Sequence, residues 1–310
     1  MKKKIAVAVD ASLHSSHAVQ YAARIAKVVP ELHVVLMHIH PTISGYLLEE
    51  ARSSVSAQNE LQKIIQKNQA AASALLGQYQ ERMVQDGVPE DRIELKNRPR
   101  QIGVADDLLA WCQVADYDAL LVGRRGVSFL QGLVMGSVTE NLVNHSNLTP
   151  IWVVDGLIRS EKILLAVDGS PRALRAADHL SFMVSGSENS RIQMLHVQPS
   201  LQDYCEIDLR SETLAQAEAV LLDSDRRCLD DFHAQVLTVF QRNGFSKDRV
   251  ELSIVSDKLF AGKAILEAAH QGDFGTVVIG KRGTSKSRFF GSVSRFVIQK
   301  AENLAVWIVP

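Results

Sequence analysis

Two stretches of this chain combine residue types that can cradle an anion. The first runs Gly123-Arg124-Arg125-Gly126, then nine residues, then Gly136-Ser137 with Thr139 close behind. Glycine lets a ligand approach the backbone closely. A helix start presents unpaired N–H groups and a partial positive charge. Arg124 and Arg125 add cations beside it. The second stretch, Gly280-Lys281-Arg282-Gly283 followed by Gly291-Ser292, repeats the pattern with a spacer of seven residues. Two carboxylates, Asp10 and Asp168, each follow a short apolar run, in Asp10-Ala11-Ser12 and Asp168-Gly169-Ser170.

Each of these residues also has a reading without a ligand. Asp10 can fix a turn or cap the helix behind it. The glycines can serve loop geometry alone. Ser137 and Glu140 form an S-x-x-E pattern, which predicts a capping box. Arg124 and Arg125 can be a solvated pair.

The elements that must position these residues recur in order. Ile5 to Ser12 matches Ile163 to Ser170, and Met37 to Pro41 matches Leu195 to Pro199. Asp91 to Leu95 matches Asp248 to Leu252, and Asp116-Tyr117 matches Asp273-Phe274. Ile151 to Val154 matches Val306 to Val309. The offset moves only from 158 to 157 to 155, the last step being the shortened loop. This is a tandem duplication, and we divide it as residues 1–157 and 158–310.

Each half alternates strand and helix. Ile5–Val9 reads as a buried strand, and Ala18, Tyr21, Ala22, Ile25 and Val28 then recur at helical spacing. Ser170-Pro171 is an N-cap with proline at the first helical position. Strands are expected at Val34–Ile39, Arg92–Lys96, Leu120–Val122 and Ile151–Val154, with an irregular stretch from Pro41 to about Asn59. Apolar strands alternating with helices imply an α/β fold with doubly wound parallel sheets, one per half. Ligands of such sheets bind beyond the carboxyl ends of the strands, where strand order switches. If strands one and four are neighbours, Asp10 and the glycine loop face each other.

With 46% hydrophobic and 22% charged residues, the chain has the composition of a globular protein. A formal net charge of -1 gives no overall pull toward nucleic acid. Phe289-Phe290 beside Lys286 and Arg288 is slim support for it. No stretch is apolar over the length a membrane span requires. The run behind Met1 is too short for a signal segment. Three cysteines, Cys112, Cys205 and Cys228, lack paired or zinc-binding spacing and suit the cytoplasm. His38, His40 and His196 have no partner at metal-binding spacing, so a structural role is expected. No catalytic base or metal site stands out.

The pattern G-x-x-G, nine residues, G-[ST], set after a buried strand, resembles the ATP-binding signature of the universal stress protein family. The resemblance covers both halves, through the Asp-x-Ser segments and the Gly-Ser-Val-[Thr/Ser] helix starts. It implies tandem Rossmann-like domains of the adenine nucleotide alpha hydrolase-like kind. It further implies a regulatory module of the stress response that binds ATP, with or without magnesium, mainly in the first half. Asp10 would receive the sugar or base, Gly123 and Gly126 would admit the phosphates, and Gly136, Ser137 and Thr139 would donate to them beside Arg124. Asp168, Gly280, Gly283, Gly291 and Ser292 are the matching positions of the second half. Members of the family pair through the fifth strand, so the halves are expected to pair as a pseudo-dimer through the strands of Trp152 and Trp307. A homodimer of chains stays open. Two other readings stand beside this one: a nucleotide-free interaction scaffold with structural glycine loops, and a slow ATP hydrolase. The segments 41–59 and 199–210 are candidates for a lid or a partner contact.

Overall fold

The computed structural model describes residues 2–126, 135–198, 212–256, 260–282 and 291–310. Gly283, Cys205, the segment 199–210 and the cluster of Lys286, Arg288, Phe289 and Phe290 lie outside the described residues. Contacts divide the chain into two compact units. One holds residues 1–27 and 31–149, the other residues 28–30 and 150–310.

In the first unit, β1 (Lys3–Ala8), β2 (Leu32–His40), β3 (Ile93–Pro99) and β4 (Ala119–Gly123) are parallel strands in the order β3-β2-β1-β4. All five residues of β4 are buried, as expected for a strand with both faces covered. The helices are α1 (Leu13–Val28), α2 (Gly45–Ser53), α3 (Val55–Gln85), α4 (Val104–Val114) and α5 (Ser137–His145). α1 turns Ala18, Val19, Ala22 and Ile25 inward, the stripe its spacing predicts. The stretch expected to be irregular is instead largely helical. Ser44 accepts a hydrogen bond from the Leu47 N–H and starts α2, and Ser54 does the same for Ala57 at the start of α3.

The second unit contains β6 (Ile163–Val167), β7 (Ile192–Val197), β8 (Val250–Val255), β9 (Thr276–Gly280) and β10 (Ala305–Val309). It also contains β5 (Ile151–Val154). The order is β5-β10-β9-β6-β7-β8, all parallel except β5, which runs antiparallel to β10. Its helices are α6 (Pro171–Val184), α7 (Glu212–Arg242), α8 (Ala261–Gln271) and α9 (Ser292–Lys300). The expected cap forms, with the Ser170 hydroxyl accepting from the Ala173 N–H and Pro171 opening α6.

The strands carrying Trp152 and Trp307 pair as the family resemblance implied. The two indoles are opposite one another in the ladder and stack with centroids 3.6 Å apart.

In both units strand one neighbours strand four, as β1 with β4 and β6 with β9. Strand order reverses there, which opens the crevice where doubly wound sheets take their ligands.

Candidate functional site: two glycine cradles at the strand switch points

In the first unit the chain leaves β1 at Val9 and turns on Asp10. One Asp10 carboxylate oxygen, Oδ1, accepts the Ser12 N–H at 3.0 Å and the Ser15 hydroxyl at 2.7 Å. The Ser12 hydroxyl accepts the Ser15 N–H at 3.1 Å and starts α1. Asp10 therefore does build the turn, as its ligand-free reading required. The glycine loop faces it. Gly126 lies so close to the other carboxylate oxygen that an added Cβ would stand 2.7 Å from Asp10 Oδ2. Gly123 packs on α1, where a Cβ would come within 2.7 Å of the His14 carbonyl carbon and oxygen. Arg124, next to it, is buried.

The start of α5 departs from the expected capping box. Gly136 holds the N-cap position and Ser137 is already the first helical residue, with no side-chain cap hydrogen bond. The Gly136 N–H donates to the Arg124 carbonyl at 3.0 Å, which fixes the backbone one residue earlier than Ser137 would need to cap. Thr139, an expected ligand donor, gives its hydroxyl to the Gly123 carbonyl at 2.9 Å and so closes the loop onto the helix.

The second unit repeats these closures. Gly291 holds the N-cap of α9 and its N–H donates to the Lys281 carbonyl at 3.2 Å. The Ser294 hydroxyl donates to the Gly280 carbonyl at 2.8 Å. Asp168 Oδ1 accepts the Ser170 N–H at 3.1 Å. Here the structure shows a cavity of about 290 Å³. Its polar side is formed by Asp168, Gly280, Arg282, Gly291 and Ser292, four of them expected from sequence. Its apolar side is formed by Val167, Leu195, Val197 and Ile265, among others. Burial and the neighbouring Arg282 charge push the Lys281 ammonium down to about 8. Among the described residues no cluster of three or more His, Cys, Asp or Glu gathers as metal ligands.

Several residues of these sites escaped the sequence reading. Ser15 closes the Asp10 turn, and Tyr79 of α3 donates its hydroxyl to the Asp10 carbonyl at 2.8 Å. His38 and His196, for which a structural role was expected, each place Nδ1 at the carbonyl that follows or ends strand one, Val9 at 2.8 Å and Val167 at 3.1 Å. Their matching positions in the repeat were a usable signal.

Comparison with known proteins agrees with this architecture. The model of the Universal stress protein family matches residues 1–155 and again 159–310, so the chain belongs to that family as a tandem member. A universal stress protein from Archaeoglobus fulgidus DSM 4304 is 17% identical, with a TM-score of 0.64 over 99% of this chain and 97% of that one. A functionally unknown protein from Pseudomonas aeruginosa PAO1 is 15% identical, with a TM-score of 0.58 over 99% and 92%. At such identities the likeness is one of fold. No curated protein sequence matches the chain.

Proposed function

We propose that the protein is a nucleotide-binding regulatory module of the stress response in which a glycine cradle receives the phosphates of an adenine nucleotide, ATP with or without magnesium. The observation that carries this reading is the cavity of the second unit, bounded by Asp168, Gly280, Arg282, Gly291 and Ser292. Its chemistry fits such a ligand. The N-terminus of α9 and the Arg282 guanidinium favour phosphate. A carboxylate accepts from sugar hydroxyls, and the apolar wall suits a base. Magnesium would add charge neutralisation between phosphates. The matching positions of the first unit are Asp10, Gly123, Arg124, Gly126, Gly136 and Ser137, with Thr139 tying the loop to α5. Work in the cytoplasm suits the three sparse cysteines.

A second reading, the nucleotide-free scaffold, draws on a specific observation. Gly123 and Gly126 are accounted for by their approach to His14 and Asp10, with no ligand required. Calorimetry and thermal-shift assays with ATP on metal-stripped protein separate the two readings. Saturable heat and a raised melting temperature are expected. Neither effect at millimolar ATP would leave the scaffold. Phosphate release measured with and without magnesium tests hydrolysis.

A further inference from the structure

The two cradles share a backbone plan and differ in what surrounds it. In the first unit the carboxylate is engaged by its own turn. Asp10 Oδ1 holds the Ser12 N–H and the Ser15 hydroxyl, the Asp10 N–H donates to Ser15 Oγ at 2.9 Å, and Gly126 lies against Oδ2. Above this turn, Tyr79 fastens α3 to the Asp10 carbonyl. In the second unit the repeat places Ala173 where Ser15 stands and Val236 where Tyr79 stands. Neither side chain has a hydroxyl to give. There Asp168 keeps the turn bond from the Ser170 N–H and also forms part of a cavity wall, opposite the start of α9.

Charge separates the cradles further. Among the described residues of loop, facing carboxylate and first helical turn, the first unit sets Arg124 and Arg125 against Asp10 and Glu140. The second sets Lys281, Arg282 and Arg295 against Asp168 alone. A cation in the first turn of a helix opposes the dipole, so Arg295 makes the start of α9 more positive than the start of α5. Arg282 lines the cavity, and its Nε is buried with no hydrogen-bond partner among the described residues. Burial lowers the Lys281 value first, and the neighbouring Arg282 charge lowers it further. Such a site is relieved by an anion, and more by a polyanion.

We propose that the halves are unequal: the second unit is the nucleotide site and selects for the number of phosphates, while the first unit keeps its carboxylate for its own turn. This rests on the nucleotide-binding reading above and deepens it. It also reverses the emphasis expected from the unshortened loop of the first half. The selectivity follows from charge. Each phosphate added within reach of Arg282 and the α9 N–H groups gains a charge-assisted contact.

Isothermal titration of the full chain with ATP, and separately with AMP, tests the proposal. One site per chain is expected, with ATP bound about tenfold or more tighter than AMP and with an affinity that drops steeply as salt is raised. Asp168→Asn and Arg282→Gln should each remove most of the binding while leaving far-UV circular dichroism and the thermal midpoint near those of the parent. Arg282→Gln should in addition flatten the difference between ATP and AMP. Two sites of similar affinity, equal affinity for ATP and AMP, or undiminished binding in both variants would overturn the inequality while nucleotide binding itself survives. No binding of either nucleotide by the parent chain would overturn the nucleotide reading, and this inference with it.

Discussion

At the scale of single residues, the glycines of the two cradles are required for different reasons. None of Gly123, Gly126, Gly136, Gly280 and Gly291 is at positive φ; what constrains them is proximity. At Gly123 an added Cβ meets backbone atoms of His14 at 2.7 Å, and backbone at a helix start cannot move aside cheaply. Gly123→Ala should therefore cost about 1–3 kcal/mol. At Gly291 the nearest atom would be 3.4 Å away, an ordinary contact, and φ is −62. Gly291→Ala should stay within about 1 kcal/mol of the parent. Urea denaturation of the two variants side by side checks this. Equal costs would mean that the close packing at Gly123 is not what fixes the residue. Sequence alone ranked both glycines as phosphate-side residues, because a pattern of spacing carries no information about what stands behind each Cα. The same limit applies at Ser137. Its S-x-x-E pattern is real, but the bond from Gly136 to Arg124 sets the helix start one position earlier.

At the scale of elements, the strands were legible because they are short apolar runs between turn residues, and because every landmark appears twice. The repeated Asp116-Tyr117 and Asp273-Phe274 now have a physical meaning. Both aspartates adopt positive φ, 52 and 53, turning the chain into β4 and β9. α2 was not legible. It buries none of its residues, so there is no apolar stripe to find, and its one side-chain signal is the hydroxyl cap at Ser44. Nor could the sequence show how the two long helices, α3 and α7, reach the strand ends. α3 uses the Tyr79 hydroxyl on the Asp10 carbonyl. α7 uses Asp225, whose carboxylate lies 3.0 Å from His196 Nε2, while the other ring nitrogen meets the Val167 carbonyl. Tyr79→Phe should lower stability by about 1 kcal/mol and speed amide exchange around Asp10 more than around Asp168. Unchanged exchange at Asp10 would mean that the hydroxyl does not hold the turn.

At the scale of the whole molecule, the chain's repeat and its packing units do not share a border. β5 falls within the first family match, yet it packs with the second unit as the antiparallel neighbour of β10. The centre of that ladder is fully buried. Trp152 and Trp307 stack, and His179 of α6 meets both rings edge-on with centroids 5.8 Å away. The Trp152 indole N–H donates to His179 Nε2 at 3.1 Å, so that nitrogen must be without a proton. Burial pushes the imidazole down to about 4, with the Asp178 charge acting weakly the other way. In the unfolded chain an ordinary histidine titrates near 6.5. Between those values the unfolded state binds a proton that the folded state refuses. The contribution of neutral His179 is therefore fully present above about pH 6.5 and is lost as pH falls toward 4, amounting to roughly 3 kcal/mol at the end of that range. Protonation would also set a donor against the Trp152 N–H. His179→Gln keeps an acceptor for the indole and cannot titrate. Urea unfolding followed by tryptophan fluorescence from pH 7 to pH 4.5 should show the parent losing stability faster than this variant. Identical slopes would mean that His179 is not what the ladder protects from acid. Trp152→Ala should cost about 3–5 kcal/mol at pH 7, because it empties the stack itself, and less as pH falls toward 4, because the indole that opposes His179 protonation is gone.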